Sequence, residues 1–202
     1  MRKTMRFPAA IQNLIDDLSQ IPTVGPKTAQ RYVFYLLKQP KEFLTKIAAD
    51  IVNLKKNLKI CNTCLAVAET DPCPICADQT RDSATLCIIA TQPEMLAIET
   101  TKKYNGLYFL LGRNLRPQEG VGVEKISIAK LEQRLKQGKI KEIILALSPT
   151  LEGETTSLYL AKILKPLKIK ITRLARGLPM GSDIEYADEI TLNNALKNRN
   201  EV

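Results

Sequence analysis

Cys61-Asn62-Thr63-Cys64 and Cys73-Pro74-Ile75-Cys76 set two C-x2-C pairs on either side of residues 65–72, which is the spacing of a tetrahedral four-cysteine zinc site. Each pair closes a tight turn with both thiolates pointing the same way, and two facing turns supply four soft sulfur ligands about 2.3 Å from the metal. Residues 65–72 hold too few large apolar side chains to fold alone, so the metal supplies the folding energy that a core cannot. Four thiolates leave no position for an activated water, and the chain has no His. Both points argue against the usual three-ligand catalytic zinc. Two disulfides are the competing reading. The basic start Met1-Arg2-Lys3 is not followed by the apolar region of a secretion signal, and only one further Cys exists. The expectation is therefore a reduced, cytoplasmic chain holding structural Zn2+. That further residue, Cys87, sits in the apolar run Leu86-Cys87-Ile88-Ile89 and reads as a buried strand position without chemistry.

On the N-terminal side of the cysteines the apolar residues recur at helical spacing. Ile11, Leu14, Ile15 and Leu18 form one set, Pro22-Thr23-Val24-Gly25-Pro26 interrupts it, and Ala29, Val33, Leu36 and Leu37 form the next. Two helices joined by a tight turn follow from this. A third amphipathic segment, Lys41 to Leu58, leads into the cysteines. Past Arg81 the character changes. Leu86–Ala90, Gly106–Leu111, Ile143–Leu147 and Ile169–Leu174 read as buried strands with helical patterns between them, so a parallel sheet covered on both faces is expected. Arg113 to Val123, with Pro117, Gly120 and Gly122, is the one long irregular stretch of this region.

The chain has 202 residues, 45% of them hydrophobic, and a formal net charge of +9. That length suits one sizeable α/β domain with small appendages. The apolar runs are too short to span a bilayer, so no membrane-spanning role is expected. The excess of cations, with a pI of about 9.3, points to a polyanionic partner.

In Ile21-Pro22-Thr23-Val24-Gly25-Pro26-Lys27-Thr28-Ala29-Gln30-Arg31, Gly25 permits a tight turn and Pro26 suits the first helical turn, which leaves free backbone N–H groups pointing outward. A phosphate there meets the positive end of the helix dipole, and Lys27 and Arg31, four residues apart on one helix face, neutralise charge beside it. Such contacts go to the DNA backbone and read no bases. The stretch resembles the helix-hairpin-helix motif of nonspecific DNA-binding proteins, with Thr23 where that motif usually has a second Gly. An ordinary helical hairpin with a solvated Lys and Arg is the competing account.

Leu147-Ser148-Pro149-Thr150-Leu151-Glu152-Gly153-Glu154 resembles the D-x-D-x-x-G-E stretch of the Toprim domains of topoisomerases and primases. In those enzymes two aspartates and a glutamate at the end of the first strand hold Mg2+, because a hard cation handling phosphate needs clustered oxygen anions. Here Ser148 and Thr150 stand at the aspartate positions and Ala90 where the glutamate is expected. Glu154 reads as an acidic residue favoured in a first helical turn, while Glu152 is left open. Two classes of function are thus in play, a DNA-binding assembly factor and a Mg2+-dependent Toprim enzyme. The absent carboxylates favour the first.

The order of hairpin, four-cysteine module and Toprim-like domain, with Arg176-Gly177-Leu178-Pro179-Met180-Gly181, Tyr186-Ala187-Asp188 and Thr191-Leu192 behind it, is similar to the RecR family of bacterial recombination mediators over nearly the whole length. Departures are Thr23, Ala90, Ser148 where that family often has Asn, and Arg176 where it often has His. The resemblance implies an α/β chain made of a helical helix-hairpin-helix region (1–57), a four-cysteine zinc finger (58–80), a Toprim-like domain (81–175) and a C-terminal oligomerisation segment (176–202). It implies a ring-like homotetramer that clamps single- and double-stranded DNA and works with RecO, and in many bacteria RecF, to load RecA. Carried over, Gly25, Lys27 and Arg31 are the DNA-binding positions and Cys61, Cys64, Cys73 and Cys76 the zinc ligands. Glu152 and Glu154 mark the surface where RecO docks. Leu178–Asp183 contains no G-x-x-x-x-G-K-[ST] sequence, and reads as a Gly/Pro turn before a last strand, Ile184 to Leu192.

Overall fold

The computed structural model describes residues 7–115, 127–136 and 139–201. Residues 116–123 of the irregular stretch expected after Arg113 lie outside them. The chain divides into two compact units, one ending at Asn57 and one beginning at Leu58.

In the first unit α1 (Ala9–Leu18) and α2 (Pro26–Leu36) form a hairpin and α3 (Lys41–Asn57) follows. The helical spacing of apolar residues brings Ile15, Ala29 and Val33 into a small buried cluster, with Ile11, Leu18 and Val24 packed against it. α3 buries none of its residues. Its apolar stripe lines an open groove of about 380 Å³, where Leu44, Ile47 and Ile51 face Leu14, Leu18 and Leu36.

In the second unit a two-stranded antiparallel ladder, β1 (Lys59–Ile60) with β2 (Val67–Ala68), and the single turn α4 (Pro74–Ala77) carry the two cysteine pairs. Then β3 (Asp82–Ile89), α5 (Gln92–Thr100), β4 (Gly106–Leu110), α6 (Ile128–Leu135), β5 (Glu142–Leu145), α7 (Leu151–Leu164) and β6 (Lys170–Arg173) build a four-stranded sheet in the order β4-β3-β5-β6. All its pairings are parallel, as the unbroken apolar runs require, with Cys87 opposite both Tyr108 and Ile144. The two-residue alternation of β3 divides the core. Leu86 and Ile88 pack with Leu131 and Leu135 of α6 and Leu160 and Leu164 of α7. Cys87 and Ile89 pack on the other face with Met95 of α5 and, from the cysteine module, Cys61, Cys64, Ala66 and Cys73. The module therefore covers one face of the sheet and shares its core. Cys87 is buried, as its apolar run implies.

The C-terminal segment corrects one expectation. Ile184–Leu192 is not a strand: Ile184–Tyr186 is one 3-10 turn and Glu189–Lys197 is a helix, α8. Asp188 starts it, accepting hydrogen bonds from the Thr191 amide (2.9 Å) and hydroxyl (2.7 Å), an N-cap that outweighs the β-propensity of Ile184 and Tyr186 upstream. The Pro179 to Ser182 turn is as expected, with Gly181 at a φ of 82° and Ser182 N donating to Pro179 O at 3.2 Å.

Candidate functional site

The four cysteine sulfurs all lie within 4.8 Å of one another, and Cys64 Sγ is 3.5 Å from Cys73 Sγ. All five cysteines of the chain are free thiols, so the disulfide reading does not hold. Backbone amides aim at the sulfurs: Cys73 N donates to Cys61 Sγ (3.4 Å), Ala66 N to Cys64 Sγ (3.5 Å) and Cys76 N to Cys73 Sγ (3.4 Å). Such bonds orient ligand sulfurs and favour their anionic form. The hydrogen bond from Cys76 pulls the Cys64 thiol down to about 5, while burial pushes Cys73 up to about 11. The Cys76 thiol is raised as well, by its hydrogen bond to Cys64 and then by burial. Packed this closely, the sulfurs cannot all ionise unless a cation sits among them. A tetrahedral ion with bonds of about 2.3 Å separates its sulfurs by roughly 3.8 Å, which lies within the observed span. The four residues fit a metal ion and suit structural zinc.

Three contacts fix this module to the sheet. Leu110 N donates to Cys64 O at 2.9 Å. The side-chain amide of Gln92 pairs with both backbone groups of Val67, at 2.7 and 2.9 Å. Arg134, only 9% exposed, donates from α6 to Thr63 O (3.1 Å) and Tyr108 O (2.6 Å). Arg134 was not among the residues singled out by sequence. Its signal was a cation set within the apolar stripe Leu131-Arg134-Leu135.

At the hairpin, Gly25 is the N-cap of α2 and Pro26 its first residue. Pro26 has no N–H, so the amides of Gly25, Lys27 and Thr28 are those that helix geometry leaves for an outside acceptor. Lys27 and Arg31 are both exposed, and among the described residues neither has an ion-pair partner. The turn itself departs from expectation. Gly25 has a φ of −82° and open space at its Cβ position; Thr23 takes the left-handed corner, with a φ of 68°. The position where the motif usually has its second Gly is the one that needs it.

At the carboxyl ends of β3 and β5, Thr150 caps α7 by accepting from Gly153 N at 3.2 Å. A Cβ on Gly153 would collide with the Ser148 carbonyl oxygen. Ala90 leaves a place that Glu94 reaches from the first turn of α5. Its Oε2 accepts from the amides of Ala90 and Thr91, both at 2.8 Å, and its Oε1 accepts from Ser148 Oγ at 3.2 Å. The sequence signal for Glu94 was the Thr91-x-x-Glu94 spacing of a capping box. Glu154 is held by two cations, Arg176 and, at 3.8 Å, Arg173. Glu152 is half-buried beside it.

Comparison with known proteins agrees with this layout. Residues 11–55 match the family model "RecR, helix-hairpin-helix", residues 84–175 the Toprim domain, and residues 177–200 "RecR, C-terminal". The Recombination protein RecR of Bifidobacterium animalis subsp. lactis (strain AD011) is 46% identical over 98% of this chain and 99% of its own length. That of Staphylococcus haemolyticus (strain JCSC1435) is 42% identical over 98% and 100%. That of Staphylococcus aureus (strain JH9) is 41% identical over the same shares. The chain belongs to the RecR family. Membership supports a role in recombinational repair, and the RecR hairpin model covers the Gly25–Arg31 turn. No helix among the described residues is long and apolar enough to cross a membrane.

Proposed function

We propose that this RecR chain is a DNA-binding recombination mediator that acts with RecO, and with RecF where it is present, to promote RecA loading on single-stranded DNA in the cytoplasm. It works as a non-catalytic homotetrameric clamp. The observation that carries the reading is the pair of exposed cations Lys27 and Arg31 on the first turns of α2, without ion-pair partners among the described residues, next to amides that helix geometry leaves for a phosphate. One hairpin of this kind grips DNA weakly and without sequence preference; several around one channel act multivalently. The open apolar groove of the first unit, lined by Leu14, Leu36, Leu44 and Ile51, supports assembly, since a second surface laid on it would remove that apolar area from water. Zn2+ held by Cys61, Cys64, Cys73 and Cys76 would be structural.

Ala90, Ser148 and Thr150 support the non-catalytic part, because neutral groups stand where Toprim enzymes place Mg2+ ligands. Glu94 is the one observation for the enzyme reading, and its carboxylate already accepts three hydrogen bonds. Glu152 and Glu154 are the proposed RecO surface. The Arg176 and Arg173 contacts mean that a partner there meets Glu154 as an ion pair.

The test is DNA binding by the Lys27→Ala, Arg31→Ala double variant across a salt series. Loss of two phosphate contacts lowers the slope of log K against log salt by about 2 for each hairpin engaged on duplex DNA; an unchanged slope moves the DNA site elsewhere. Reproducible Mg2+-dependent cleavage, relaxation or primer synthesis that vanishes in Glu94→Gln would restore the enzyme reading.

A further inference from the structure

Parallel pairing puts the N-terminal ends of all four sheet strands on one edge, opposite the edge that carries Glu94, Ser148 and Glu154. At three of those ends stands a pair of exposed lysines: Lys102 and Lys103 before β4, Lys139 and Lys141 before β5, Lys168 and Lys170 at β6. Neighbouring strands are about 4.8 Å apart, so the pairs spread over roughly 15 Å across the order β4-β3-β5-β6. Lys170 N donates to Lys141 O at 3.2 Å, and Lys141 and Lys168 line one shallow concavity of about 400 Å³. Two carboxylates share the edge. Asp82 keeps its charge, accepting from the Thr85 hydroxyl (2.6 Å) and the Ala84 amide (2.8 Å) within the field of Lys141. Glu142 is occupied by Lys170 (3.1 Å) and Thr172 (2.9 Å). The edge keeps a clear excess of positive charge.

Fold stability accounts for only part of it. Lysines at helix C-termini complement the helix dipole, which explains Lys136 and Lys165 at the C-caps of α6 and α7 but not Lys139 or Lys141, which lie outside helices and, unlike Lys170, are not the partner of Glu142. Lys102 and Lys168 add a second point. Their φ values of 54° and 53° are left-handed, a conformation that favours Gly or Asn. Lys102 follows the C-cap of α5 and Lys168 caps the 3-10 turn Lys165–Leu167, so the helix dipole accounts for a cation there, while the left-handed backbone would suit Gly or Asn better.

We infer that this lysine edge is a second surface for the DNA phosphate backbone, separate in sequence from the hairpin; it rests on the reading of the chain as a DNA binder. Lysines on flexible stems are point charges without the planar fork that reads bases, so the surface follows phosphates irrespective of sequence.

Lys102→Asn with Lys168→Asn is the discriminating variant, because Asn suits both left-handed positions. In the full chain its melting temperature holds or rises while its affinity for duplex DNA falls and the salt slope drops by about 2 for each lysine edge engaged. Adding Lys139→Gln and Lys141→Gln takes the drop to about 4 per edge and lowers affinity at moderate salt roughly ten- to hundred-fold. Wild-type slope and affinity in both variants, beside weakened binding by Lys27→Ala, Arg31→Ala, overturn the lysine edge and leave the hairpin reading standing, even if an acidic protein segment is later found on those lysines. No DNA binding by the wild-type chain at any salt removes both.

Discussion

Gly153 lies where α7 turns back over the Ser148 carbonyl, and a methyl group there would strike that oxygen. Helix propensity alone would make Gly153→Ala stabilising by up to about 1 kcal/mol. The collision is with backbone, which cannot step aside, and overpacking of this kind costs about 1–3 kcal/mol. Gly153→Ala should therefore lower the unfolding free energy by about 2 kcal/mol in a denaturant titration, and stability equal to wild type would show that the turn can open. Thr23 is the opposite case. Relief of its left-handed backbone is worth about 1–2 kcal/mol, and Gly returns about 0.5–1 of this as chain entropy. Thr23→Gly should raise the melting temperature slightly and leave DNA affinity intact; a lower melting temperature contradicts the strain assigned to Thr23. Lys27, Arg31 and the four cysteines were legible in the sequence because spacing alone puts them on one face or around one point. Thr23 was legible only as a departure from the hairpin motif; that it takes the left-handed corner itself, in place of Gly25, shows only in the backbone. Glu94 is hidden for a different reason: its capping role follows from Thr91, and no motif links it to the place beside Ala90 that its carboxylate fills.

The cysteine module behaves as a layer of the sheet domain, not as an appendage, because Cys61, Cys64 and Cys73 share a buried cluster with Cys87, Tyr108 and Met95. Stripping the metal should therefore lower the melting temperature of the whole second unit in one transition. Purified protein should carry one zinc per chain, and Cys73→Ser should reproduce the loss. Melting unchanged by chelation would contradict a structural metal. Where the chain leaves the module, Arg81 donates two hydrogen bonds to Glu99 (2.9 and 2.6 Å), and the Tyr108 hydroxyl donates a third (2.6 Å). The Arg81 hydrogen bonds hold the Glu99 carboxyl below its ordinary 4.5. A carboxylate lowered on folding adds stability above its unfolded pKa and loses it as pH falls through the folded value. Glu99→Gln should thus flatten the loss of stability below about pH 4.5; an equally steep acid limb would show that Glu99 carries no linkage. The strands and long helices were readable because their apolar periods are regular. α8 was not, because Ile184, Tyr186 and Ile190 look strand-like until Asp188 is recognised as a cap.

At the scale of the whole molecule, a net charge of +9 and a first unit in which only Ile15, Ala29 and Val33 are buried among the described residues point the same way. Three buried residues make too small a core for a helical unit to stand alone, and Ile51, Val52 and Leu54 of α3 are 62%, 69% and 61% exposed. Assembly with further copies would cover them and would bring several hairpins around one DNA. No period or motif reveals this, because an uncovered apolar face and a core-facing one have the same pattern in sequence. The decisive measurement is light scattering on purified protein, alone and with single- or double-stranded DNA, in the samples used for a salt titration of binding. A tetramer whose DNA affinity falls steeply with salt is the predicted result. A monomer with no measurable affinity for either DNA would contradict the clamp.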